Sequence, residues 1–282
     1  MKKFSLLTLM LAFTMVLLAA CGGNANNAAS NNTANTAAGS EEAANNEAQS
    51  GLEAVKASGK LRIGTEGTYA PFTFHDESGN LTGFDVDIAR EVSKRIGVEP
   101  EFIETQWDGM FAGLDAKRFD VVFNEVSIND ERKAKYDFSD PYIVSKAVLI
   151  VHQDNNDIKG FADLKGKKSA QSLTSNLTEI AKSNGAEIVG TEGFNQAIDL
   201  LLSKRVDATV NDGLSFLDLK TQRPDVPLKS VAEADNAAES AALFNKGSDD
   251  LVQAVNKALA DMKADGTYLT ISKKYFSEDV SK

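Results

Sequence analysis

The chain has 282 residues, with 30 Lys and Arg against 41 Asp and Glu, a net charge of −11. That balance excludes a nucleic-acid binder, which needs a basic face for phosphate. One cysteine and two histidines far apart in sequence, His75 and His152, exclude an intramolecular disulfide and a zinc-ligand spacing, so no metal or other cofactor is expected.

Met1-Lys2-Lys3 opens a short basic start, and residues 4–20 carry no charge. This is the layout of a secretory signal peptide, expected over residues 1–20. The run ends in Leu18-Ala19-Ala20-Cys21. Small residues before the protein's lone cysteine resemble a bacterial lipobox, which implies cleavage before Cys21 and lipid on its thiol. Acyl chains buried together anchor a protein stably to a membrane surface. Residues 22–50 contain no large apolar residue. Such a stretch cannot bury enough surface to offset its chain entropy, so residues 21–51 are expected to be a lipidated cysteine followed by an unstructured tether.

From Leu52 the pattern changes. Residues 61–66 read as a strand with a polar end. Val86, Ala89, Val92 and Ile96 recur at helical spacing, with Gly97 as the stop. Phe102-Ile103 is a short strand. Trp107, Met110, Phe111 and Leu114 mark an amphipathic helix, and residues 119–127 another strand. The second half has strands at 187–189 and 206–210. Its helices are marked by Phe194, Ala197, Ile198, Leu201 and Leu202, and by Leu251, Val255, Leu259 and Met262 before Gly266. Strands alternating with helices predict βαβ units in an α/β fold.

A local repeat links the halves. Leu114-Asp115-Ala116-Lys117-Arg118-Phe119-Asp120 is followed, after three residues, by Asn124-Glu125. Leu201-Leu202-Ser203-Lys204-Arg205-Val206-Asp207 is followed, after three residues, by Asn211-Asp212. Each copy reads as helix end, turn, buried strand and a polar pair at the strand's carboxyl end, where open α/β sheets bind ligands. Two equivalent lobes with polar strand ends suggest one cleft between them.

Glu66 stands where the first strand meets a glycine turn. Tyr69 and Trp107 would flank a ligand's apolar stem, unless Tyr69 packs in the core and Trp107 only opens an apolar helical stripe. Arg132, just past Ser127, is suited to a carboxylate because its planar fork donates two parallel hydrogen bonds. The alternative is a surface ion pair with Asp130 or Glu131. Ser172, Thr174, Ser175 and Asn176 form a polar loop opening into a helix, able to cap it or to leave its free amides to an anion. Asp212 would accept hydrogen bonds from an ammonium. Together these are the groups that hold a zwitterionic amino acid.

The motifs Ala70-Pro71-Phe72-Thr73-Phe74, Leu81-Thr82-Gly83-Phe84-Asp85, Asp130-Glu131-Arg132-Lys133 and Tyr136-Asp137-Phe138-Ser139-Asp140-Pro141-Tyr142 closely resemble the extracellular amino-acid-binding proteins of ABC importers. The likeness covers about residues 52–280. Residues 169–176 and the C-terminal run from Asp265 look most like the cystine-binding branch.

This resemblance implies a type II, two-lobe periplasmic-binding-protein-like fold with mixed sheets, each flanked by helices, and two hinge crossings. Lobe 1 would comprise residues 52–145 plus 241–282, and lobe 2 residues 146–240. It implies that Arg132, the Ser127 amide and the helix start near Asn176 hold the α-carboxylate. Asp212, assisted by Ser127, would hold the α-ammonium. Tyr69 and Trp107 would flank the side chain, and Glu66 would meet its polar end. Where glutamine is expected in the cystine branch, Glu125 adds a carboxylate suited to a second ammonium, and Ser172, Ser175 and Asn176 would meet the distal polar atoms.

The expected function is therefore capture of an amino acid, L-cystine first, by a monomer lipid-anchored on the outer face of the cell membrane, for delivery to an ABC permease. The alternatives are a basic or other polar amino acid such as arginine, lysine or glutamine, and a cyclohexadienyl dehydratase-like enzyme on the same fold. Against the enzyme, the cleft residues include no nucleophile–base pair.

Overall fold

A computed structural model describes residues 51–282. The expected signal peptide, Cys21 and most of the tether lie outside the described residues. Among the described residues, no helix is long and apolar enough to cross a membrane.

The chain begins with helix α1 (Gly51–Ser58) and strand β1 (Lys60–Thr65). A small antiparallel sheet follows, of β2 (Thr68–Tyr69), β3 (Thr73–His75) and β4 (Leu81–Thr82). Then come α2 (Phe84–Ile96), β5 (Glu99–Glu104), α3 (Trp107–Asp115), β6 (Val121–Val122), α4 (Asp130–Lys135) and β7 (Tyr136–Phe138). Strand β8 (Ile143–Ser145) leads to the second lobe: β9 (Ala147–His152), β10 (Lys168–Gln171), α5 (Asn176–Ser183), β11 (Glu187–Gly190), α6 (Phe194–Leu202), β12 (Ala208–Asp212), α7 (Gly213–Gln222) and β13 (Leu228–Glu233). Strand β14 (Ala238–Ser240) returns the chain to β15 (Leu243–Asn245), α8 (Asp249–Ala264) and α9 (Thr267–Phe276).

Each lobe is built on a five-stranded mixed sheet. The first has the order β5-β1-β6-β15-β7 and the second β11-β10-β12-β9-β13. In each, three parallel strands are extended by antiparallel ones. Strands β8 and β14, which carry the chain from one sheet to the other and back, pair antiparallel with each other.

Helix α2 shows why the first lobe closes. Phe84, Ile88, Ala89 and Val92 are fully buried on one face, and Gly97 ends the helix in the left-handed conformation, φ 88°. Gly83 sits at φ 130°, where a Cβ would lie 2.2 Å from the Phe72 carbonyl oxygen, so only glycine fits there. Two residues on, the fully buried Asp85 accepts a 2.5 Å hydrogen bond from the Tyr142 hydroxyl, joining two motifs far apart in sequence. Burial pushes the Asp85 carboxyl up to about 7, opposed by that bond. Leu251, Val255, Leu259 and Met262 of α8 complete this core face. Met110, Leu114, Phe119 and Leu243 fill the other face of the sheet.

The sequence repeat is a repeat in space. Lys117 and Lys204 both adopt positive φ, 55° and 56°. The amides of Arg118 and Arg205 bond back to the carbonyls of Gly113 and Leu200. Asp120 accepts the Arg62 amide at 2.9 Å, and Asp207 the Lys168 amide at 2.8 Å, so each aspartate ties the turn to the neighbouring strand. Residues 119–127, read as one strand, form a ladder only at Val121–Val122, because the chain turns off the sheet where Glu125 takes φ 50°. The strand expected at 206–210 runs instead from Ala208 to Asp212, since Asp207 is used in the turn.

Candidate ligand-binding site

Both sheets present their polar strand ends to one cleft. Glu66 follows β1 and is buried. Its Oε2 accepts a 2.7 Å hydrogen bond from Asn124 Nδ2, while Asn124 Oδ1 accepts the Glu66 amide at 2.7 Å. Asn124 thus fixes the glutamate. Burial drives the Glu66 carboxyl up to about 7, with the Asn124 bond opposing it. Tyr69 packs in the core and also reaches the cleft. Its ring packs on Phe72, 5.2 Å between centroids, and its hydroxyl donates across the cleft to Asn211 Oδ1 at 2.8 Å.

Arg132 is not a surface ion-pair residue. Only 7% exposed, its guanidinium lies over the rings of Trp107 and Phe111, 5.3 and 5.1 Å from the centroids. Nη1 donates to the Ser127 carbonyl at 2.8 Å. Among the described residues no carboxylate lies within ion-pair distance of it, and Glu131 pairs with Lys135 instead. Burial lowers the Arg132 pKa to about 10, far above neutrality, so the cation stays charged. It is aimed by α4, whose N-cap Asn129 accepts the Arg132 amide at 2.8 Å.

The second lobe supplies the facing wall. Ser175 caps α5 through its hydroxyl, which accepts the Leu177 amide at 3.2 Å. Asn176, the first residue of that helix, reaches back to Ser127 Oγ at 3.3 Å. Asp212 caps α7, accepting the Leu214 amide at 2.8 Å through Oδ1 and the Ser145 hydroxyl through Oδ2. Burial raises its carboxyl to about 6, and burial together with Asp212 pushes Glu125 well above the usual carboxylate range. Glu125 Oε1 accepts from Ser240 Oγ at 3.0 Å.

These residues line three neighbouring cavities that meet at Asn176. Glu66, Tyr69, Trp107, Glu125, Ser172, Ser175 and Asn176 line one. Glu125, Ser127, Asn176 and Asp212 line a second. Arg132, Ser175 and Asn176 line a third. Asn124, Asn211, Phe111, Gly193 and Phe194 were not singled out as site residues. Asn124 and Asn211 were visible as the first members of the repeated polar pairs. Phe111 was read only as part of an apolar stripe, and nothing in the sequence separated Gly193 and Phe194 from an ordinary helix start. At the rim, Asp108 Oδ1 accepts both the amide and the hydroxyl of Thr174, at 3.0 and 2.7 Å, and Asn195 Nδ2 donates to the Thr68 carbonyl at 3.0 Å. The lobes therefore touch across the cleft.

A family model for bacterial extracellular solute-binding proteins, family 3, matches residues 61–278, and the chain belongs to that family. The L-cystine-binding protein TcyA of Bacillus subtilis (strain 168) is 47% identical over 285 aligned residues, 100% of both chains. The L-cystine solute receptor of Neisseria gonorrhoeae, in its unliganded open conformation, is 47% identical, with a TM-score of 0.56 over 83% of this chain and 99% of that one. An ancestral arginine-binding protein bound to arginine is 39% identical, with a TM-score of 0.73 over 77% of this chain and 98% of that one. The chain is a solute-binding protein with a two-lobe fold, not an enzyme.

The buried carboxyls give a testable pH dependence. The Glu66 pKa lies above its ordinary 4.5, at about 7, so the folded, ligand-free state holds the extra proton. Its contribution to stability is full below about 4.5 and is lost as pH rises to about 7. A ligand ammonium at this carboxylate requires the ionised form. Calorimetry in buffers of differing ionisation enthalpy should show proton release on binding near pH 6, and affinity should rise from pH 5.5 to 7.5. A flat affinity with no proton release would show that no cation meets this carboxyl.

Proposed function

We propose that this protein captures L-cystine in the interlobe cavity and delivers it to the permease of an ABC importer. The observation that carries the reading is Arg132, a buried cation with no carboxylate within ion-pair distance among the described residues, near three buried carboxyls, Glu66, Glu125 and Asp212. Such an arrangement is costly while empty and suits a ligand bearing a carboxylate and more than one ammonium. In this reading Arg132, with the Ser127 amide and the start of α5, takes the proximal α-carboxylate. Asp212 and Ser127 take the proximal ammonium, and Tyr69 and Trp107 flank the disulfide stem. Glu66 and Glu125 serve the distal ammonium, and Ser172, Ser175 and Asn176 its polar neighbours. The cystine-binding name of a full-length relative supports this choice.

Lobe 1 would comprise residues 52–145 plus 241–282 and lobe 2 residues 146–240, with β8 and β14 absorbing the rotation between open and closed states. The protein would act as a monomer, held to the outer face of the membrane by lipid on Cys21. A basic amino acid is the second reading. Glu66 and Glu125 would also suit a side-chain cation, and the arginine-bound neighbour favours it.

Arg132→Ala should weaken cystine at least thirtyfold by calorimetry without loss of fold, since removing one partner of a buried charge pair costs about 2–5 kcal/mol. Affinity within threefold of wild type would refute the carboxylate role. In a competition titration, cystine should displace arginine, lysine and glutamine from the wild-type domain, and displacement of cystine by equimolar arginine would select the second reading. Cys21→Ala should move the protein from the membrane fraction to the soluble fraction with unchanged cystine affinity. Membrane association that survives this change, with the leader still cleaved, would exclude the lipid anchor.

A further inference from the structure

Beyond Glu66 the cavity continues into the second lobe. A narrow recess lined by Gln171, Ser172, Thr191, Gly193, Phe194 and Asn211 shares Ser172, Gly193, Phe194 and Asn211 with the space that Glu66 lines. Thr191 lies just past β11 and is only 5% exposed. Its amide is used, donating to the Gln171 carbonyl at 3.0 Å. Its hydroxyl Oγ1 is buried and has no hydrogen-bond partner among the described residues. A buried hydroxyl left unmatched costs free energy, and in a native fold such a group calls for an explanation, a bound water, ion or ligand among them.

Three residues later α6 begins. It runs for nine residues, its N-cap is Gly193, and no side chain among the described residues caps it. The first amides of a helix lack intrahelical partners and carry a partial positive charge, which favours an anion. A Cβ built on Gly193 would stand 3.6 Å from Glu66 Oε1. The helix start therefore faces the carboxylate oxygen that Asn124 does not occupy. An anion-favouring end and a carboxylate stand side by side, and Thr191 lines the same recess as that helix start.

We infer that Thr191 Oγ1 and the uncapped start of α6 form a second carboxylate subsite, which takes the distal α-carboxylate of a bis-amino-acid ligand while Glu66 takes the distal ammonium. The inference rests on the cystine reading and deepens it. A lysine or arginine side chain would bring a cation to Glu66 but leave the Thr191 hydroxyl and the helix start unmatched. Thr191 is thus a specificity-determining residue: it separates a ligand with a zwitterion at both ends from one with a cation at its far end.

The test uses two ligands, L-cystine and the mixed disulfide of cysteine with cysteamine, which keeps the distal ammonium and lacks the distal carboxylate. Calorimetry on the wild-type protein should show cystine binding the tighter of the two. Thr191→Val keeps the side-chain shape and removes the hydroxyl. It should weaken cystine by about tenfold or more, as for loss of a hydrogen bond to a charged group, and change the mixed disulfide less than threefold. Thr191→Ser restores the hydroxyl and should restore the wild-type preference, which separates a lost contact from a disturbed fold. Cystine affinity within threefold of wild type in Thr191→Val, or an equal loss for both ligands, would overturn the subsite while leaving the cystine reading in place. Failure of the wild-type protein to bind cystine would overturn both.

Discussion

Charge buried without a partner is the constraint on which the site depends. Arg132 lies over two aromatic rings with one hydrogen bond to a carbonyl and no carboxylate within ion-pair distance among the described residues, while Glu66, Glu125 and Asp212 stand nearby with raised pKa values. A fold would not gain stability from this arrangement, since desolvation of an ion is repaid only by close, complementary charge. In the proposed reading, a ligand that carries the complementary charges supplies the partners that the fold does not.

The fold makes that arrangement possible by using one local structure twice. In both lobes a helix ends in a tight turn through a lysine with positive φ. An aspartate then ties the turn to the adjacent strand, and the following strand leads to an asparagine and an acidic residue. Because the strands are parallel in this part of each sheet, their carboxyl ends gather on one side. Asn124 and Asn211 then act differently from their acidic neighbours. Asn124 fixes Glu66, and Asn211 receives the Tyr69 hydroxyl from the other lobe. The acidic members, Glu125 and Asp212, face the cleft between them.

Several residues that line the cleft also hold the fold together. Ser175 and Asp212 cap the helices they precede, so their side chains are partly committed before any ligand arrives. Tyr69 is both a core ring and a cleft hydroxyl. Gly193 is the opposite case. It supplies no cap, and its missing side chain leaves the start of α6 open toward Glu66. The pairing of β8 with β14 joins the two crossings between the sheets.

The sequence by itself determined what depends on local pattern and residue chemistry. The helical stripes of α2, α3, α6 and α8, the stops at Gly97 and Gly266, and the repeated turn-and-strand unit were legible because periodicity and φ preference act over a few residues. Arg132, Asp212 and Glu66 were legible as candidates because each follows a strand end or lies beside one. The tertiary structure decided what depends on residues far apart in the chain. Whether Arg132 paired with Glu131 or stayed free turned on Trp107 and Phe111 from another helix. The antiparallel strands β9 and β13 were not read, because a buried apolar run such as Ala147–His152 fits a helix or a strand until its neighbours are known. The asparagine that fixes Glu66, the hydroxyl of Thr191 and the open start of α6 gained meaning only once segments distant in sequence were packed together, since hydrogen-bond satisfaction is a property of the assembled interior and not of any stretch of sequence.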